Sequence, residues 1–80
     1  MPGLTRRASK DLAQLPPRLA QKAREIIGRL DDDPAIGHKL KGSLQGKRAA
    51  RLGRSHRIIY AANEGSIVVL TIRARKDAYR

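Results

Sequence analysis

A stripe of apolar residues, Leu12, Leu15, Leu19, Ala23, Ile26, Ile27 and Leu30, recurs at three- and four-residue spacing in the first part of the chain. This period predicts helical structure with one face against a core. Pro16-Pro17 interrupts the stripe, because each proline pushes the residue before it out of the helical region. Two helices in a hairpin are therefore expected. The first runs from about Arg6 to Leu15, capped by Thr5 or Ser9, and the second starts near Pro17, where a first-turn proline is tolerated. The second should end between Leu30 and Asp32, since three consecutive aspartates sit badly at the negative end of a helix dipole and Pro34 stops continuation.

Beyond Pro34 the period changes to two. Arg48 to Leu52, Arg57 to Ala62 and Ile67 to Ile72 are short, β-prone runs bounded by Gly, Ser, Asn or Glu. Asn63-Glu64-Gly65-Ser66 makes the last two an antiparallel hairpin, and Gly53-Arg54-Ser55 joins the first two into a meander. Pro2 to Thr5 offers a stub of a further strand. The fold class is thus α+β: an N-terminal helical hairpin packed on a twisted antiparallel sheet of three to four strands, with residues 1–80 as one domain. Strict alternation sends Ile58, Tyr60, Val68, Leu70 and Ile72 toward the helices. It sends Arg57, Ile59, Ala61, Val69, Thr71, Arg73 and Arg75 to the opposite face, and Arg51 joins them there if it projects to the same side.

Composition narrows the picture. In 80 residues there is no Phe or Trp, and the aromatics are Tyr60 and Tyr79, so the core must be aliphatic and thin. A chain of this size buries only roughly 60% of its extended surface, which makes stability marginal. The absence of cysteine removes disulfides, Cys-based zinc sites and thiol catalysis. Arg6, Arg7, Lys10 and Asp11 break up the start of the chain, which lacks the apolar run of a signal peptide. No apolar stretch approaches the roughly 20 residues that span a bilayer. These features lead us to expect a cytoplasmic protein without a membrane partner. Asp31 to Asp33 are consecutive and have no nearby His or Glu, a poor arrangement for one metal ion, so neither metal nor cofactor is expected.

Charge is the strongest compositional signal. Eighteen Lys and Arg against seven Asp and Glu give a net charge of +11. No acidic residue lies between Pro34 and Asn63, while Lys39, Lys41, Lys47, Arg48, Arg51, Arg54 and Arg57 all do. Uncompensated charge of one sign repels itself, which favours an anionic partner: nucleic acid, an acidic protein or an anionic membrane. No Ser-His-Asp set, carboxylate pair at helical spacing or phosphate-binding glycine loop is present. Arg, Lys, His and Tyr remain, and they suit phosphodiester chemistry, in which guanidiniums stabilise charge on the reacting phosphate. RNA brings its own nucleophile, the 2′-hydroxyl, and can be cleaved by positioning and electrostatics.

Three segments carry a resemblance: His38-Lys39-Leu40-Lys41-Gly42, Arg51-Leu52-Gly53-Arg54-Ser55-His56-Arg57-Ile58-Ile59-Tyr60, and Arg75-Lys76-Asp77-Ala78-Tyr79-Arg80. With Ala8 to Pro16 upstream, their order and spacing resemble the RelE/ParE superfamily of toxins from bacterial and archaeal toxin-antitoxin pairs. The resemblance implies a helical hairpin on an antiparallel sheet of about four strands. RelE-like members cut messenger RNA in the ribosomal decoding site, whereas ParE-like members poison DNA gyrase on the same fold.

By resemblance, Arg57 falls where RelE-like toxins bind phosphate, and Arg51 where a basic residue stabilises the transition state or moves a proton. Arg75 or Arg73 fits the last catalytic arginine, and Tyr79 fits an aromatic that stacks on or orients the substrate. Tyr79 equally suits a packing residue that pins the chain end. Ala49 departs from the pattern, since a lysine is often found there; Lys47 or Arg48 would compensate under another register. Lys39, Lys41, Lys47, Arg48, Arg54, His56, Arg73 and Lys76 are the further expected RNA contacts. An imidazole suits proton transfer near neutral pH, yet strict alternation turns His56 toward the helices. The family opens with a full edge strand where this chain has only Met1 to Thr5, which would leave an edge for a partner. The implied partners are messenger RNA, the ribosome and a cognate antitoxin, often acidic or partly disordered.

Overall fold

The computed structural model describes residues 3–40, 46–63 and 65–74. Strand β1 (Gly3–Leu4) leads into helices α1 (Arg6–Ala13) and α2 (Pro17–Leu30), followed by β2 (His38–Lys39), β3 (Arg48–Leu52), β4 (His56–Asn63) and β5 (Ser66–Ala74). The sheet order is β1-β5-β4-β3-β2, with β1 parallel to β5 and the other pairs antiparallel. The sheet is thus mixed and has five strands rather than three to four. β1 is the stub expected within Pro2 to Thr5, and the unforeseen strand is β2, whose two residues are too few for a period to register in the sequence. No helix among the described residues is long and apolar enough to cross a membrane.

Local chemistry sets the helix ends. Thr5, not Ser9, caps α1: its hydroxyl accepts from the Ala8 N–H at 3.0 Å and donates to the Leu70 carbonyl at 2.7 Å. The cap thereby ties the helix to β5. Pro16 is extended at ψ 148°, and Pro17 takes the first position of α2. Ala8, Ala23, Ile27 and Leu30 then pack on Ala50, Leu52, Ile58, Tyr60, Ile67, Val69 and Ile72. Among the described residues Tyr60 is the one aromatic in this core, and it is fully buried.

The expected faces of β5 require correction. Val69 and Ile67 face the helices, whereas Val68 is exposed and Leu70 packs on the far side against Ala49, Ile59 and Leu40. The cause is a bulge. Ile59 pairs with Thr71 and Tyr60 with Val69, so Leu70 has no counterpart in β4. One extra residue inverts the alternation upstream of it while leaving Ile72 and Arg73 on their expected sides. Thr71, expected on the far face, instead turns to α1.

Asp11 of α1 closes this irregular edge. Its Oδ2 accepts from the Thr71 hydroxyl at 2.7 Å and the Ile72 N–H at 3.1 Å, and its Oδ1 lies 3.4 Å from Arg7 Nε. Across the sheet, the Tyr60 hydroxyl donates to the Pro34 carbonyl at 2.7 Å and accepts from the Gly37 N–H at 2.9 Å. Arg48 Nη1 donates to the Gly37 carbonyl at 2.8 Å. These bonds fix the approach to β2. Gly37 is required there, because a Cβ would lie 2.6 Å from the Ala49 carbonyl oxygen and 2.8 Å from the Tyr60 hydroxyl.

Asp11→Ala should lower unfolding stability by about 2 kcal/mol, because it leaves two partly buried donors without an acceptor. Urea titration measures this, and an unchanged midpoint would contradict the role. One substitution, placed at two glycines, should act with opposite signs. Gly28 is exposed within α2 with open space at its Cβ, so Gly28→Ala should stabilise by about 1 kcal/mol. Gly37→Ala should destabilise by about 2 kcal/mol through overpacking. Thermal melts of the two variants should shift in opposite directions.

Candidate functional site

The register of the three central strands brings three arginines onto one rung: Arg51 of β3 pairs with Arg57 of β4, which pairs with Arg73 of β5. Their flanking residues, Ala50, Leu52, Ile58 and Ile72, belong to the helix-side core, so the rung lies on the opposite face. Strands stand about 4.8 Å apart, which gathers the three positions within about 10 Å. Arg51 and Arg73 are exposed. Arg57 between them is only 4% exposed, and its Nη1 donates to the His56 carbonyl at 3.0 Å. Like charges directly opposite one another in a sheet are destabilising, and guanidiniums recognise phosphate oxygens in a planar, bidentate manner. The arrangement is suited to an anion that bridges the strands.

An apolar cluster borders the rung on the same face. Ala49, two residues before Arg51, is buried with Leu40 and Ile59, and the half-buried Leu70 packs against them. His38 of β2 pairs with Ala49, which puts this exposed histidine on the arginine face. His56 takes the other parity. It pairs with Leu52 and Ala74, and its Nδ1 lies 2.6 Å from the Ser55 hydroxyl. The sequence pattern drew attention to His56 rather than His38 because β2 is too short to show its parity. The signal available was the alternation of His38 with Leu40.

The remaining expected contacts are dispersed. Arg48 pairs with Tyr60 on the helix-side parity and is engaged with Gly37, which makes it a brace for the loop. Lys39 pairs with Arg48 and is exposed on that parity. Lys47 is half-buried, and its carbonyl accepts from the Leu40 N–H at 3.0 Å. Arg54 is exposed in the β3–β4 turn, where Gly53 has φ 62°. Lys41, Arg75, Lys76 and Tyr79 lie outside the described residues.

Comparison with known proteins gives this geometry a context. The family model described as the ParE toxin of type II toxin-antitoxin systems matches residues 4–79. Among solved structures, the chain is similar to the RelBE2 toxin-antitoxin complex of Mycobacterium tuberculosis, with 32% identity, TM-score 0.79, and 92% of this chain and 88% of that chain covered. It shares its fold with a YoeB/ParE toxin from Agrobacterium tumefaciens, with 22% identity, TM-score 0.80 and coverage of 94% and 99%. YafQ from E. coli also shares the fold, with 18% identity, TM-score 0.81 and coverage of 100% and 98%. Among curated protein sequences, none matches this chain. The match over nearly its whole length shows that the chain belongs to the RelE/ParE family of type II toxin-antitoxin toxins.

Proposed function

We propose that this toxin is a messenger RNA endoribonuclease that acts on the ribosome, in the cytoplasm, and is held in check by a cognate antitoxin. The observation that carries this reading is the rung of Arg51, Arg57 and Arg73 on the face away from the helices. In the reaction we infer, the 2′-hydroxyl attacks the adjacent phosphate and the bond to the 5′-oxygen breaks. A 2′,3′-cyclic phosphate and a 5′-hydroxyl result. Arg51 and Arg73 meet the phosphate from solvent and stabilise its developing charge, while Arg57 supplies a fixed positive charge between them. His38 pairs with Ala49 on the same face, and we assign its imidazole to carry a proton between the two oxygens. Arg75 and Tyr79 complete the site in this reading, as a further phosphate ligand and as the aromatic that orients the base.

The related RelBE2 protein was solved with its antitoxin, which supports an antitoxin partner here. An acidic segment laid over the arginine rung would neutralise it and occlude it together. A second reading, gyrase inhibition, is favoured by Ala49, a buried methyl group where RelE-like members often carry a lysine.

With programmed ribosomes, wild-type protein should cut the messenger, and Arg51→Gln or Arg73→Gln should slow cleavage by about 10²-fold to 10³-fold. An intact messenger together with inhibited supercoiling by gyrase would move the assignment to the second reading. The same two variants should gain stability without ligand, by a few tenths to about 1 kcal/mol, because each removes one like-charge neighbour from the rung. Added salt should raise the wild-type melting temperature more than theirs. Loss of stability in both variants would show that the rung is a structural brace.

A further inference from the structure

The arginine rung lies next to the end of the sheet where β3 turns into β4; one further rung, Leu52, His56 and Ala74, closes that end. The turn rests on the beginning of α2. A Cβ built on Gly53 would stand 3.5 Å from Leu19 Cδ2, an ordinary contact distance. Arg54 and Arg18 each lie one residue from this contact, and both are exposed. Lys22 follows Arg18 one helical turn on and is exposed too, while Ala20 and Ala23 take the buried side. Cations therefore continue from the rung around the turn and onto the outer surface of α2.

The charge at the start of α2 runs against what the helix's own stability favours. Arg18 occupies the first turn, where no acidic residue stands, and Asp31 to Asp33 follow the last turn. A helix dipole prefers the reverse at the first turn, while at the other end Arg29 in the last turn offsets the aspartates that follow it. Of the described acidic residues, Glu25 alone stands on this helix near the track, exposed one turn beyond Lys22, and the others are placed elsewhere. Asp11 is engaged with Thr71, Ile72 and Arg7, and the three aspartates lie at the far end of α2, about 20 Å along its axis from Arg18.

We propose that Arg54, Arg18 and Lys22 form a track for the RNA backbone flanking the reacting phosphate, so that a single strand bends around the β3–β4 end of the molecule. The inference rests on the RNA reading above and adds the path that the strand takes. A track along successive phosphates is salt-dependent and indifferent to sequence, and it acts only on RNA long enough to extend past the rung.

Fluorescence anisotropy with uncleavable 2′-O-methyl oligoribonucleotides, a trinucleotide and a dodecamer, over a series of KCl concentrations tests it. The triple variant Arg18→Gln, Lys22→Gln, Arg54→Gln should reduce the slope of log affinity against log salt by about 2 for the dodecamer, from three lost phosphate contacts. Its affinity for the trinucleotide should not change. A control variant, Arg6→Gln, Lys10→Gln, Arg29→Gln, removes equal charge from exposed cations outside the track and should leave the dodecamer slope near the wild-type value. Equal losses in the two variants would reduce the effect to net charge and overturn the track. A larger loss against polyglutamate than against the dodecamer would assign the surface to an acidic protein and overturn it as well. If neither oligonucleotide binds wild-type protein, the RNA reading itself fails. If Arg51→Gln weakens trinucleotide binding while the triple variant matches wild type on the dodecamer, only the track fails.

Discussion

Register across β3, β4 and β5 is the constraint on which the rest of this structure depends. Because side chains alternate between faces, a slip of one residue in any of the three strands would drive its arginine into the helix-side core and expose an aliphatic neighbour. The aliphatic residues prevent this. Ala50, Leu52, Ile58, Ile72 and Tyr60 bury themselves beneath α1 and α2, and in doing so they fix Arg51, Arg57 and Arg73 on the other side. The hydrophobic core thus selects the fold and also aligns the cations. The two functions are inseparable at the level of individual residues, since each arginine is the sequence neighbour of a core residue.

The resulting arrangement would set stability against the proposed activity. A nearly buried guanidinium between two exposed ones sets like charges side by side, and in the function proposed above a bound polyanion would offset them. A thin aliphatic core leaves little margin for such repulsion, and polar ties supply part of what the core does not. Thr5 and Asp11 bind α1 to the irregular edge of β5, and Tyr60 with Arg48 holds the segment that leads into β2. These ties lie around the rung rather than within it, which leaves the guanidiniums of Arg51 and Arg73 at the surface.

The helices were legible in the sequence, because their apolar stripe is long and the Pro16-Pro17 break has one physical meaning. The common face of Arg57 and Arg73 was legible by alternation, with Arg51 joining them if it projected to the same side. Their meeting on one rung is a matter of register that only the folded sheet defines. The faces of the first part of β5 were not, since a bulge leaves no trace in a run such as Ile67-Val68-Val69-Leu70, where every residue is apolar and either parity reads equally well. Arg48 illustrates another limit. Its composition suggests a ligand contact, whereas its bond to the Gly37 carbonyl depends on a loop that β2 and Tyr60 jointly position. His38 was visible as a residue type, but its face depended on a two-residue strand whose pairing with Ala49 only the folded sheet defines.

The most direct test of the central claim follows the guanidiniums themselves. Nε–Hε resonances of Arg51, Arg57 and Arg73, assigned by substitution, should be followed by NMR while an uncleavable single-stranded RNA is added. If one phosphate is held by the rung, signals from these three arginines shift together and report a single dissociation constant. If they stay at their free positions while arginines elsewhere on the molecule shift, the phosphate is bound at another place and the account is wrong.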